Sequence, residues 1–189
     1  MKRHYPTSTT SQLPFFKNNN VQLTWNRYAD FTDGTEIAAG NYTLKATYGN
    51  IETQGFEAPY YEGAKEFSIK KNESTNISVI CYLANVKVTT EYTELFKKYF
   101  TDYTVNIRPA GSTDISFDKN ETRAAYVKPG KISIYLSGSK QQGNKVTFEA
   151  ATIENAKARQ HYRLKFDVQA GGTELDVSFT DETERVPIT

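Results

Sequence analysis

The chain has 189 residues, enough for one large domain or two small ones that each bury a core. Its 23 basic and 22 acidic residues nearly cancel, which removes any global electrostatic reason to invoke nucleic acid or an anionic membrane as a partner. Thirteen tyrosines, eleven phenylalanines and many β-branched residues favour strands over helices.

The single cysteine, Cys81, excludes an internal disulfide and a cysteine-based metal site, and its alternation places it on an apolar face as a small buried hydrophobe. No run approaches the ~18 apolar residues of a membrane helix. Met1 to Ser11 carries basic residues with no apolar region behind them; taken literally this describes a cytoplasmic chain, and as part of a longer chain it says nothing about location.

In chain order, residues 1–20 are polar and predict a loose arm or an extended strand. Val21, Leu23 and Trp25 alternate with polar neighbours as a strand does, and Thr32 to Thr35 is turn chemistry. Tyr42, Leu44, Ala46 and Tyr48 share one face of a strand that glycines end at both sides, Gly40 and Gly49. A polar loop through Pro59, Tyr60 and Tyr61 leads to a short strand at Phe67 and Ile69.

The stretch from Ile77 to Phe100 organises the rest. Val79 to Ala84 is apolar at every position, so both faces of that strand are expected to be covered. From Ala84 the alternation keeps Val86 and Val88 inward and turns Asn85, Lys87 and Thr89 to water. At Glu91 the period changes to that of a helix, with Tyr92, Leu95, Phe96 and Tyr99 as its buried stripe and Glu94 spaced to pair with Lys98. This predicts a helix over about 91–100 in which Leu95 and Phe96 are both buried.

Beyond it, Tyr103, Val105 and Ile107 alternate, a short strand covers Ile115 to Phe117, and Ala124 to Val127 reads as an edge strand stopped by Pro129. Ile132 to Leu136 and Val146 to Ala150 form a hairpin around the loop 138–144. Tyr162, Leu164, Phe166 and Val168 give the strongest alternation, Ala170 to Gly172 turns it, and Leu175, Val177 and Phe179 form a last strand before a polar, fraying end. With no βαβ alternation, the pattern is all-β: two tandem antiparallel β-sandwich units, 1–83 and 84–189, joined through Val79 to Val88, with one short helix. A single continuous sandwich, or a break nearer Pro109, is compatible with the same pattern.

Catalytic chemistry is hard to assemble. His4 lies in the polar arm, and His161 shares the solvent face of its strand with Arg163, Lys165 and Asp167. No nucleophile elbow, zinc-binding histidine pair, phosphate loop or dinucleotide fingerprint occurs, so no catalytic residue, cofactor or metal is assigned. Asp118 to Glu121 offers oxygen atoms but lacks the glycine and full ligand series of a calcium loop, and reads as a polar turn. Sequons open at Asn41, Asn72, Asn76 and Asn120; with Tyr42 and Ile77 lying in strands they read as chance. Tyr60 and Tyr61 are the ligand-binding candidates: exposed, they would form with Trp25 a platform for a sugar or a protein; packed across the first core, they would be structural.

Ala39-Gly40-Asn41-Tyr42-Thr43-Leu44-Lys45-Ala46 resembles the G-x-Y-x-L-x-A strand of transthyretin-like sandwich domains. Together with Ala58 to Gly63, Cys81 to Val88, Glu121 to Ala124 and Lys157 to Tyr162, it makes the chain similar to an uncharacterised family of surface lipoproteins from gut-dwelling anaerobic bacteria, organised like the fimbrillins. The resemblance implies two tandem sandwiches, export, a location at the cell surface, the outer membrane or a fimbrium, and a non-enzymatic role in adhesion or assembly. It implies as partners other fimbrial subunits or host and cell-surface ligands, without nucleic acid and without a transmembrane segment. A carbohydrate-binding module that captures surface glycans is the alternative.

Overall fold

The computed structural model describes residues 11–17, 20–25, 37–141, 143–168, 175–180 and 185–188. Outside them lie His4, the turn at Thr32 to Thr35 and the turn at Ala170 to Gly172. The described residues form fifteen strands and one helix. In chain order these begin with β1 (Ser11–Lys17), β2 (Asn20–Trp25), β3 (Gly40–Tyr48), β4 (Gly55–Phe56), β5 (Tyr61–Ile69) and β6 (Val79–Leu83). Then come β7 (Val86–Tyr92), α1 (Glu94–Tyr99), β8 (Phe100–Pro109), β9 (Ile115–Asp118) and β10 (Ala125–Val127). The long hairpin β11 (Gly130–Lys140) and β12 (Lys145–Ala156) follows, then β13 (His161–Val168), β14 (Leu175–Thr180) and β15 (Arg185–Ile188). The chain divides into two compact units: Met1–Asn50, Pro59–Ala84 and Arg185–Thr189 form one, and Ile51–Ala58 with Asn85–Glu184 the other.

The first unit holds a six-stranded sheet in the order β15-β6-β5-β3-β1-β2. Alternation along β3 buries Tyr42 and Ala46, and Ala46 meets Val79 and Cys81 in a small core flanked by Leu44, Tyr61 and Ile77. Beside it, Phe15 packs 4.9 Å from Tyr42 and 5.1 Å from Phe67, ring centre to ring centre. Residues 11–17 are therefore a strand and not a loose arm, with Phe15 only 3% exposed. The polar end likewise contributes β15, which pairs Arg185–Ile188 with Tyr82–Val79. The double cover expected for Val79 to Ala84 is absent on one side: Val79, Cys81 and Leu83 are buried, while Ile80 is 47% exposed. Its apolar outer face reflects β propensity, since a β-branched side chain suits a pleated surface even when only one side is packed.

The second unit pairs a five-stranded sheet, β14-β13-β7-β10-β4, with a four-stranded one, β12-β11-β8-β9, around a shared core. Val86, Val88, Leu164 and Phe166 enter that core from the first sheet, and Val105, Ile107, Phe117, Ile134 and Leu136 from the second. Two expectations change here. β7 and β13 run parallel, from His161↔Lys87 to Phe166↔Tyr92, so the larger sheet is mixed and not wholly antiparallel. A parallel neighbour need not follow in sequence, and β7 and β13 are joined by α1 and the strands β8 to β12. β10 lies between β7 and β4, an interior strand and not an edge.

Helix α1 is shorter than the periodicity predicts. Thr93 caps it, its hydroxyl accepting the Phe96 N–H at 3.2 Å, and Glu91 and Tyr92 remain in β7. Phe96 is fully buried among Tyr92, Phe100, Tyr103 and Phe166, at ring separations of 5.4, 4.8, 5.0 and 5.8 Å. Leu95 is 52% exposed, against expectation, because a helix this short presents only one residue squarely to the core. The ion pair forms one residue earlier than predicted, Glu94 with Lys97 at 3.0 Å.

Candidate functional site

Two glycines bring backbone into close approach around Tyr60 and Tyr61. Gly49 has φ +83°, and a Cβ there would stand 2.3 Å from the Pro59 carbonyl oxygen; a Cβ on Gly63 would stand 2.2 Å from that of Ile80. In the segment so drawn in, Tyr61 pairs with Tyr48 on β3 and with Leu83 on β6, and its ring packs against the Ala46–Val79–Cys81 core. Tyr60 is half-buried. Its carbonyl accepts the Ala84 N–H at 2.7 Å, and its hydroxyl donates to Glu62 Oε2 at 3.2 Å. Burial first, then the Glu62 charge, pushes the Tyr60 phenol up to about 12. Trp25 lies in β2, but its side chain falls outside the described residues. Cys81 is fully buried, with Sγ 3.6 Å from the Ala46 carbonyl, and burial pushes its thiol up to about 11.

On the same unit a groove of about 500 Å³ opens over β1, β3 and β5. Phe16, Asn41, Thr43, Glu66 and Ser68 line it. Cross-strand register explains why they meet: Phe16 stands opposite Thr43, Thr43 opposite Glu66, and Asn41 opposite Ser68. Ser68 Oγ donates to Asn41 Oδ1 at 2.7 Å. Sequence reasoning names Asn41 and Thr43 only in a sequon and a strand motif and does not bring the five together, because the strand partners are distant in the chain. One signal was available: two adjacent rings in a strand, Phe15 and Phe16, cannot both face one core.

In the second unit the charged candidates are engaged by their own surroundings. His161 is 9% exposed, and its Nε2 lies 2.9 Å from Thr89 Oγ1, so the solvated position expected for it is corrected. The β13 alternation starts at Tyr162, and both His161 and Tyr162 are buried where the strand begins. Asn85, expected in water, is 1% exposed and donates from Nδ2 to the Ala58 carbonyl at 3.0 Å. In the Asp118–Glu121 turn, Asp118 Oδ1 accepts the Asn120 N–H at 2.7 Å. Arg123 holds the Glu121 carboxyl down at about 2 by hydrogen bonds from its side chain and backbone. Arg108 clasps Asp114 through two bonds of 2.6 and 2.9 Å, and its guanidinium lies 4.7 Å from the Tyr135 ring centre. Among the described residues no group of three or more His, Cys, Asp or Glu comes together to hold a metal, and no helix is long and apolar enough to cross a membrane.

The model of a domain family of unknown function, DUF4493, matches residues 10–189. The chain belongs to the DUF4493 family. No curated protein sequence matches it. Solved structures similar to this DUF4493 chain include a protein assigned to cell adhesion from Bacteroides uniformis, with a TM-score of 0.63 and 11% identity over 95% of this chain and 93% of the other. A fimbrial assembly protein from Parabacteroides distasonis gives a TM-score of 0.61 and 11% identity over 95% and 91%. A second protein assigned to cell adhesion, from Bacteroides ovatus, gives 0.54 and 8% over 94% and 88%. At these identities the likeness is one of fold. With the DUF4493 match, it bears out the resemblance to a fimbrillin-like family drawn from the residues.

Proposed function

We propose that the chain is a non-enzymatic cell-surface protein, a fimbrial or adhesion subunit that works through protein–protein or cell-surface contact. The observation that carries this reading is the fold shared along 95% of the chain with a protein assigned to cell adhesion and with a fimbrial assembly protein. In this reading the chain is exported to the outer membrane as a lipoprotein, its two units act as tandem sandwiches, and its partners are other surface subunits or host and cell-surface ligands. The side-chain chemistry agrees with binding more than with turnover: the cysteine is sealed in a core and the described histidine is bonded to a threonine.

Among the described residues the six-stranded sheet ends at β2, where Val21 is 56% and Leu23 36% exposed. An edge strand with apolar side chains is a template for strand addition, the natural mode of contact for a subunit of this kind. Immunogold labelling of intact producing cells, with cross-linking of the exported protein, tests the proposal. The expected result is surface label and adducts larger than one chain, reduced when Val21→Lys places a charge on the edge. Label confined to the cell interior, with monomer alone after cross-linking, would overturn it.

A further inference from the structure

We infer that the groove over β1, β3 and β5 is a subsite for a neutral sugar ring. A pyranose offers an apolar C–H face and a rim of hydroxyl groups that both donate and accept, and the groove presents the complement of both. The Phe16 ring supplies an apolar wall. Because Asn41 Oδ1 receives the Ser68 hydroxyl, the Asn41 amide nitrogen is left to donate and Ser68 Oγ to accept. Thr43 can do either, and the Glu66 carboxylate accepts. The volume of about 500 Å³ suits a ligand of one or two rings, within the roughly 300–1,000 Å³ of small-molecule sites.

Charge narrows the class. Among the described residues lining the groove the ionised side chain is Glu66, so a uronic acid, a sialic acid or a phosphate would meet a like charge there. The location narrows the kind of partner. The groove lies on the face of three paired strands, of which β1 and β3 have ladder neighbours on both sides. An extended peptide binds by adding to a sheet edge, whereas the face that carries the groove presents side chains. A sugar needs nothing more.

The frame is also preset. Phe15, one residue before Phe16, is held between Tyr42 and Phe67, which fixes the register of β1 and so points the next ring outward. The inference is independent of assembly, since a surface protein can bear this groove whether or not it polymerises.

Native gel electrophoresis of the full chain through gels containing yeast mannan, xyloglucan or arabinogalactan, with polygalacturonate as the acidic probe, tests it. At least one neutral polysaccharide should retard the protein and polygalacturonate should not. Phe16→Ala should weaken retardation about tenfold, on the scale of one lost ring contact. The exposed Asn41→Ala should weaken it without the folding risk of the phenylalanine change, with unchanged thermal melting as control, and Tyr60→Ala and Tyr135→Ala should leave it intact. The inference is overturned if no neutral polysaccharide retards the protein or if polygalacturonate does. Retardation that survives both Phe16→Ala and Asn41→Ala, or that is lost only with Tyr60→Ala and Tyr61→Ala, overturns it as well.

Discussion

Thr93 Oγ1 donates a hydrogen bond to Asp167 Oδ1 at 2.6 Å while accepting the amide of Phe96 at 3.2 Å. One hydroxyl thus starts a helix and ties it to a strand whose residues lie far along the chain. The Thr93 bond first, then the Val168 N–H, holds the Asp167 carboxyl below the usual aspartate range.

Thr93→Ala should therefore act in two ways. Loss of the cap should cost roughly 0.5–2 kcal/mol in denaturant unfolding at neutral pH. The Asp167 titration, followed by carboxyl NMR, should move upward toward the ordinary range. Because a depressed native pKa contributes stability above the unfolded pKa and loses it as pH falls through the native one, the gap between variant and parent should narrow in acid. An unmoved Asp167 titration would break the link.

Phe96 and Leu95 are adjacent and should behave oppositely. Phe96→Ala removes a fully buried ring and should destabilise by about 3–5 kcal/mol, whereas Leu95→Ala, at a half-exposed site, should stay within about 0.5 kcal/mol. Equal effects in thermal or urea unfolding would mean that α1 is packed differently.

Cys81 should be inert in the folded chain. Its thiol is fully buried and raised to about 11, so little thiolate exists at neutral pH and none of it meets solvent. Brief treatment with a maleimide should label denatured protein fully and native protein poorly. Rapid native labelling would contradict the packing of β6 on Ala46.

Glu121 gives an acid signature. Its native carboxyl sits at about 2 against an ordinary 4.5, held there by Arg123. The stabilisation is present above pH 4.5 and should fade as pH drops toward 2. Glu121→Gln should flatten that part of the acid unfolding curve, and Arg123→Ala should return the Glu121 titration toward its ordinary value.

Much of the strand pattern was legible because alternation is local: Tyr42 and Ala46, Val105 and Ile107, Leu164 and Phe166 all face inward where their spacing puts them. What escaped was set by partners elsewhere in the chain. His161 is buried because Thr89 meets it across a parallel pair, and no window around His161 contains that fact. Asn85 is buried because the Ala58 carbonyl receives its amide. Ile80 shows the converse, an apolar residue that the fold leaves in water. The groove escaped for the same reason as His161, since Phe16, Thr43 and Glu66 share a face only once β1, β3 and β5 are in register.

The strand that closes β6 has a further consequence, in time. The sheet that holds Ser11–Lys17 receives Arg185–Ile188 on its far side, so a chain emerging N-terminus first has nearly all of its first unit in hand before that strand appears. During that interval the outer N–H and C=O groups of Val79–Tyr82 have only water, or another nascent chain, to bond. The unit that begins first is thus completed last.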